Sequence, residues 1–173
     1  FTLIPPGQST AQEDSRNATA DQAKPWKIDD FEASPQGWNF VGGEEFPGAK
    51  GLLTLDSQRA KSGKNSYRLD ADFQGGGAYV GSWKDLQPLD LPDPAAITLW
   101  VQTRNVNRMG VRIVDQTGQC HQSAVSLPND ASREWQGLTL KLENLVGGEH
   151  WGGANDGKWH GPAKGIGFNV GKD

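Results

Sequence analysis

The segment 147–162, near the end of the chain, combines residue types that could hold a small ligand. It reads GGEHWGGANDGKWHGP, with two tryptophans, two histidines and short polar side chains among six glycines. The glycines lose too much conformational freedom for a regular helix or a central strand. Large aromatic rings beside amide and carboxylate groups are typical of a surface that binds a polar ligand with an apolar face. The segment therefore predicts a ligand-binding loop, with the candidate residues His150, Trp151, Asn155, Asp156 and Trp159.

Other chemistries for this loop are disfavoured. His150, His160 and Asp156 offer imidazole and carboxylate ligands that suit zinc, but ten residues of glycine-rich chain between the histidines do not preorganise a site. Glu149 with Asp156 is a possible pair of carboxylates for acid–base work, without evidence of positioning. The chain carries no serine nucleophile elbow, phosphate loop or HExxH pattern. The residues therefore favour binding over catalysis.

Two further groups of residues could contact ligands. On one predicted strand, Trp100 lies on the face opposite Ile97 and could line a groove with Arg112, His121 and Gln119 if that face is open. A solvated sheet face is the alternative. Near the first predicted strand, Asp30 and Glu32 supply hard oxygens, and calcium accepts such carboxylates together with backbone carbonyls. A solvated acidic strand end is the alternative there.

Composition limits the class of protein. The chain has 173 residues, enough for one domain with a core of its own. Its net charge is −4, and the 17 Lys and Arg residues form no basic stripe, which argues against nucleic acid and anionic membranes as partners. No apolar run is long enough to cross a bilayer, so we expect a soluble protein. Cys120 is the one cysteine, which excludes an internal disulfide and favours a small buried residue.

The order of polar and alternating segments predicts the domain organisation. Residues 1–24 are polar and aperiodic, typical of a disordered leader or linker and unlike an intact signal peptide. Residues 25–173 form the predicted domain, in which short alternating segments are separated by glycine- and proline-rich turns. The predicted strands are 27–31, 38–41, 52–57, 67–73, 78–83, 97–101, 110–115, 119–127, 138–142 and 165–170.

Ten short strands without crossover helices predict an all-β fold, a two-sheet antiparallel β-sandwich. The segment 115–118 is a predicted hairpin turn. The residues 88–94 contain three prolines and predict an extended connection. With only three residues after the last strand, we also expect that the domain is cut from a longer polypeptide.

Four segments together carry a family resemblance. They are EFPGAKG at 45–51, LDADFQGGGAYV at 69–80, VRIVDQTGQ at 111–119 and WGGANDG at 151–157. In order and spacing they resemble the galactose-binding-like β-sandwich modules of bacterial polysaccharide-degrading enzymes, which are carbohydrate-binding modules of the jelly-roll type. The likeness covers residues 26–170.

The resemblance implies a glycan site, either on the concave sheet face or on the loops at one edge. It also implies a structural calcium, an attached glycoside-cleaving domain, and a bacterial, secreted or periplasmic location. A sugar needs an aromatic platform and planar polar groups, which Trp151 and Trp159, with Asn155 and Asp156, could supply. The alternatives are a structural spacer that packs on a catalytic domain, and a small glycan-cleaving enzyme that works through the His150–His160 loop.

Overall fold

A computed structural model describes residues 27–32, 37–89, 96–127 and 134–172. The predicted leader 1–24 lies outside these residues. About half of the described residues lie in strands, and the one helix among them has four residues, far too short to cross a membrane. The elements are β1 (Trp38–Val41), β2 (Lys50–Asp56), β3 (Ser66–Asp72), β4 (Tyr79–Leu89), β5 (Ala96–Val101), β6 (Arg108–Val114), β7 (Cys120–Ser126), β8 (Gln136–Lys141), α1 (Leu142–Leu145), β9 (Glu149–Trp151) and β10 (Ala163–Gly171).

The larger sheet has six antiparallel strands in the order β1-β4-β10-β6-β7-β9. Two antiparallel pairs, β2–β3 and β5–β8, complete the strand set. The fold is an all-β, antiparallel β-sandwich, as the alternation of apolar and polar residues predicted. The last strand, β10, lies in the middle of the six-stranded sheet between β4 and β6.

The core lies between β6 and the β5–β8 pair. Val111 and Ile113 of β6 are 0% and 1% exposed, and the alternate residues of β5 and β8 pack on them from the opposite layer. Because successive strand residues point to opposite faces, the side of β6 that carries Arg112 faces away from this core. The packing residues of the second layer are Ile97, Leu99, Val101, Leu138 and Leu140.

The predicted strand over residues 27–31 is wrong, since residues 27–32 form no strand. Phe31 has a positive φ of 60°, which a sheet ladder does not accommodate. Its ring instead packs 4.5 Å from the ring of Tyr67 and 6.1 Å from that of Trp38. An aromatic contact, and not strand pairing, therefore fixes the chain here.

Two other segments differ from the sequence prediction. Strand β4 continues through Pro88 to Leu89, so the extended connection starts later than residue 88, and residues 90–95 lie outside the described chain. The segment 147–162 contributes the short edge strand β9. An edge strand tolerates neighbouring glycines because only one side of it is paired.

Candidate functional site

The side of the six-stranded sheet that faces away from the core carries a continuous row of aromatic and polar side chains. We call this side the open face. Strand register places its residues, because Trp83 pairs with Gly167, Gly167 with Arg112, and Arg112 with Gln122. The side chains on the open face include Tyr79, Trp83, Asp85, Arg112, Gln122, Glu149, Trp151 and Asn169.

Trp83 lies across the middle strand of this face. A methyl group added at Gly167 would come within 2.7 Å of its indole, and one added at Gly165 would collide with the same ring. The two glycines of β10 therefore leave the space that the indole fills, which allows the ring to lie over the neighbouring backbone. The indole Nε1 donates a 2.8 Å hydrogen bond to Asp85, which fixes the orientation of the ring.

Arg112 occupies the centre of the open face between two aromatic rings. Its guanidinium carbon lies 4.7 Å from the centre of the Tyr79 ring and 5.3 Å from that of Trp151. Both distances suit cation–π attraction. The Arg112 Nε donates a 2.6 Å hydrogen bond to Gln122 Oε1, and its Nη1 donates to the Tyr79 hydroxyl at 3.3 Å. The side chain is thereby held in one place.

Two carboxylates close this row at its ends. The Tyr79 hydroxyl donates a 2.5 Å hydrogen bond to Glu45, and Gln122 Nε2 donates a 2.6 Å bond to Glu149. The bond from Tyr79, with the nearby Arg112 charge, lowers the pKa of Glu45. Burial and the bond to Glu45 raise the pKa of Tyr79. The row is therefore a hydrogen-bonded array that runs from Glu45 through Tyr79, Arg112 and Gln122 to Glu149.

Trp151 reaches the open face because β9 pairs with β7. Its Cα partner is Cys120, and its indole is 40% exposed. Cys120 is only 6% exposed, and burial raises the pKa of its thiol to about 11. The thiol is thus protonated at neutral pH and serves as a small buried residue, as expected from the sequence. The exposed indole is the part of this pair that is available to a ligand.

Hydrogen bonds join the rest of the segment 147–162 to the β6–β7 turn. Asp115 is fully buried and accepts hydrogen bonds from the backbone N–H and the hydroxyl of Thr117, and from the N–H groups of Gln119 and His160. Burial alone would raise the pKa of Asp115, but these hydrogen bonds outweigh burial and lower it. Gln119, also fully buried, donates to Lys158 O at 2.8 Å and accepts from Gly157 N at 3.0 Å.

Asp156 is a structural anchor within this segment. It accepts a hydrogen bond from Lys158 N at 3.0 Å, and its two oxygens lie 3.0 and 3.1 Å from His160 Nε2. The backbone bond from Lys158, then the bond with His160, lower the pKa of Asp156 to about 2. Asn155 has a positive φ of 51°, and its backbone N–H closes a turn on Gly152. These contacts make the loop an ordered support for β9.

The structure does not bring the predicted loop residues onto one surface. Trp151 lies on the open face, whereas Trp159 packs against the hydrophobic core, with its ring 5.8 Å from that of His121. His150 is the Cα partner of His121 and therefore lies on the core side of the sheet, opposite to Trp151. The segment thus contributes one exposed indole to the open face and uses the other in packing.

The predicted groove of Trp100, Arg112, His121 and Gln119 does not form. Trp100 is 50% exposed on the outer side of β5, whereas Arg112 lies on the open face of the other sheet. His121 and Gln119 are fully buried, and burial lowers the pKa of His121. The prediction is wrong for this grouping because it required neighbouring strands, and β5 pairs with β8 instead.

The predicted calcium ligands do not fit a cation. The Glu32 carboxylate accepts hydrogen bonds from Lys64 N at 2.9 and 3.0 Å and from Asn65 N at 3.0 Å, so backbone N–H groups surround it instead of carbonyl oxygens. Asp30 forms a 2.8 Å ion pair with Lys27. Within the described ranges, no three acidic, histidine or cysteine side chains converge as metal ligands. These contacts assign Glu32 to loop stabilisation.

The sequence predicted Trp151 and Arg112 as ligand-binding residues and Glu149 only as a possible acid–base carboxylate, and it did not place Tyr79, Trp83 or Gln122 in the site. Which strands adjoin decides which alternate residues share a face, and this order is not readable from one chain. One signal was present, since Gly165 and Gly167 alternate with Ile166 and Phe168 in the last strand. A glycine at every second strand position indicates that another group lies over that face.

Comparison with solved structures shows the same fold in a known module. The family 11 carbohydrate-binding module of the cellulosomal cellulase Lic26A-Cel5E of Clostridium thermocellum superposes with a TM-score of 0.53 and 13% identity, over 83% of this chain and 91% of that one. The resemblance to a carbohydrate-binding β-sandwich is confirmed at the level of the fold. An exo-beta-agarase structure reaches a TM-score of 0.48 at 19% identity, and this chain covers 22% of it.

Comparison by sequence does not assign the chain to a family. No family model matches the chain. A segment of 97 residues, 56% of the chain, is 31% identical to the genome polyprotein of Hepatitis GB virus B. The chain spans only 3% of that polyprotein, so the match does not define a family.

Proposed function

We propose that the protein is a non-catalytic carbohydrate-binding module whose open face binds a polysaccharide chain. The observation that carries the proposal is the Arg112 guanidinium held between the rings of Tyr79 and Trp151, next to Trp83 on the same exposed sheet face. Sugars present apolar C–H faces ringed by hydroxyl groups. Flat aromatic rings with fixed planar hydrogen-bonding groups complement both parts.

The polar groups of the row have complementary roles in this proposal. Arg112 donates hydrogen bonds to sugar hydroxyls, whereas Glu149 and Asp85 accept them. Because Gln122 and Tyr79 hold the guanidinium, little side-chain freedom is lost when the ligand binds. Each hydroxyl exchanges a bond to water for a bond to protein, so the net gain comes chiefly from stacking on Trp83 and Trp151. We expect modest affinity for one module.

The proposal extends to the biological setting. The superposed module belongs to a cellulase, which supports an attached glycoside-cleaving domain as the partner of this chain. Binding would then raise the concentration of that catalytic domain at its polysaccharide. Such substrates lie outside the cell, so the proposal includes a secreted or periplasmic location in a bacterium.

Affinity electrophoresis and calorimetry test the proposal with soluble plant and algal polysaccharides, including hydroxyethyl cellulose and agarose oligosaccharides. The variants are Trp83→Ala and Trp151→Ala, and the matched control is Leu52→Ala, an exposed apolar residue of β2. We expect retardation of the native protein by at least one glycan, clearly weaker retardation in both tryptophan variants and native retardation in the control.

Three results would contradict the proposal. If no glycan retards a protein whose fold is verified by circular dichroism, the chain is better described as a structural spacer. If both tryptophan variants are retarded as strongly as the native protein, the open face does not bind the glycan. Release of reducing ends by the purified protein would instead indicate a glycan-cleaving enzyme.

A further inference from the structure

The outer face of the β5–β8 pair repeats the construction of Trp83 on a smaller scale. The Trp100 indole is 50% exposed. A methyl group added at Gly137, its Cα partner on β8, would lie 3.4 to 3.6 Å from three carbons of the indole six-membered ring. The ring therefore lies against the neighbouring strand at the position where that strand has no side chain. Gly137 supports Trp100 as Gly165 and Gly167 support Trp83.

Polar groups flank this second indole. Thr98 and Thr139 are Cα partners of each other, two residues along β5 and β8 from Trp100 and Gly137. They face the same side because alternate strand residues share a face. The Lys61 ammonium lies 4.0 Å from the centre of the Trp100 ring. An exposed ring, two hydroxyls and one ammonium donor are again the groups that recognise a sugar.

Fold stability does not account for this arrangement. A glycine inside a strand weakens the strand because it has no side chain to pack. Half of the indole stays in solvent, and an exposed cation–π contact is a weak tie between the 57–65 loop and β5. Trp100 and Gly137 thus present a flat apolar surface to solvent and lower the stability of the β5–β8 sheet.

We propose that Trp100, with Thr98, Thr139 and Lys61, forms a second sugar-binding site on the outer face of the sandwich. The inference rests on the proposed function of the open face and extends it. A pyranose ring stacks on the indole in place of the ammonium, and Lys61 then donates a hydrogen bond to a ring hydroxyl. The two sites lie on opposite faces of a sandwich whose sheets pack about 10 Å apart. One module therefore binds two separate polysaccharide chains.

Stoichiometry distinguishes the two sites. Calorimetry is carried out with cellohexaose and with an agarose hexasaccharide. For the oligosaccharide that binds, the native chain should bind two molecules. Trp83→Ala and Trp100→Ala should each bind one molecule, and the double variant should bind none. Trp100→Phe keeps a flat ring on Gly137 and should retain the second molecule more weakly. Trp100→Leu keeps apolar area without a ring face and should lose it.

Light scattering gives an independent readout. The native protein should cross-link soluble hydroxyethyl cellulose or agarose, and the scattering should fall to that of the free polymer in Trp100→Ala and Trp83→Ala alike.

In the calorimetry, one bound molecule in the native chain, unaffected by Trp100→Ala, would overturn the second site and leave the open-face site standing. One bound molecule that is lost only in Trp100→Ala would overturn the open-face proposal. No bound molecule in the native chain would overturn both.

Discussion

Arg112 shows how a single residue organises the side chains of the open face. Its guanidinium is in contact with two rings and hydrogen bonded to an amide and a phenol. Such a side chain loses little entropy when it meets a ligand, and it orients the groups around it. The carboxylates of Glu45 and Glu149 accept hydrogen bonds from Tyr79 and Gln122, respectively, and keep these two side chains in place.

Replacement of Arg112 by alanine should weaken polysaccharide binding by about tenfold or more, since a charge-assisted hydrogen bond contributes about 1.5 to 3 kcal/mol. Arg112→Lys keeps the charge but cannot bond Gln122 and Tyr79 in the same plane, so we expect an intermediate affinity. Calorimetry on the glycan that retards the native protein measures both. Equal affinity of Arg112→Ala and native protein would exclude Arg112 from the site.

Strand β10 shows how one element determines the shape of the site. It lies between β4 and β6, turns Ile166 and Phe168 to the core, and presents Gly165 and Gly167 to the Trp83 ring. The same strand therefore packs in the core on one side and supports Trp83 of the proposed binding site on the other. A change on its glycine side should affect binding more than folding.

Gly167→Ala tests this division. The new methyl group would come within 2.7 Å of the Trp83 ring, so the indole must tilt off the strand. We expect a loss of glycan affinity and a destabilisation of about 1 to 3 kcal/mol, which is typical of overpacking. The control is Gly42→Ala, where the nearest atom of the Phe40 ring is 3.6 Å away. A variant with native affinity would show that the Trp83 orientation is not needed.

The β6–β7 turn and the segment 147–162 are joined into one structural element through Asp115. Asp115→Asn places an amide N–H₂ where the carboxylate accepts N–H bonds from Thr117, Gln119 or His160. Leaving a buried donor unpaired costs about 1 to 3 kcal/mol for each group. We therefore expect roughly 2 to 4 kcal/mol lower stability in urea unfolding, and weaker glycan binding because β9 carries Trp151.

Asp72→Asn is the matched control for Asp115→Asn. Asp72 accepts one backbone bond from Gln74 in an exposed turn, and changes at such positions lie within about 0.5 kcal/mol. Similar losses in the two variants would show that burial of the Asp115 network adds nothing.

At this scale the sequence predicted much of the fold and only part of the site. Alternation located nine of the ten observed strands, including β1 at its observed bounds, because side-chain period reports local burial. It did not predict β9, which is three residues long among glycines, and it placed a strand at Phe31, where aromatic packing bends the chain. Trp83 and Gln122 were missed because their common face depends on strand order, a long-range property.

The whole molecule is a sandwich in which a buried histidine links stability to pH. Burial lowers the pKa of His121 below its ordinary value of 6.5, and the nearby Asp115 only partly offsets this effect. His150 and His160 also act to lower it. As the pH is lowered, His121 therefore becomes protonated at a higher pH in the unfolded chain than in the folded protein.

We expect stability to fall as the pH drops below about 6.5, and the fall to level off below the folded pKa of His121. The lowered pKa values of Asp115 and Asp156 act in a separate window. Their contribution is present above the ordinary value of 3.8 and is lost as the pH falls through the lowered pKa of each group, which for Asp156 is about 2. Urea unfolding between pH 8 and pH 2 should show two descending steps. His121→Phe should remove the upper one, and a single step in the native protein would contradict this assignment.

The lengths of the outermost strands matter for a protein that would gather at high density on a polymer. The six-stranded sheet ends in β1 with four residues and β9 with three. Short terminal strands offer few unpaired backbone groups to another molecule. Crowded copies should therefore resist strand-to-strand aggregation through the edges of the six-stranded sheet. Lateral spacing on the polymer would then be set at these edges by where sugars are available.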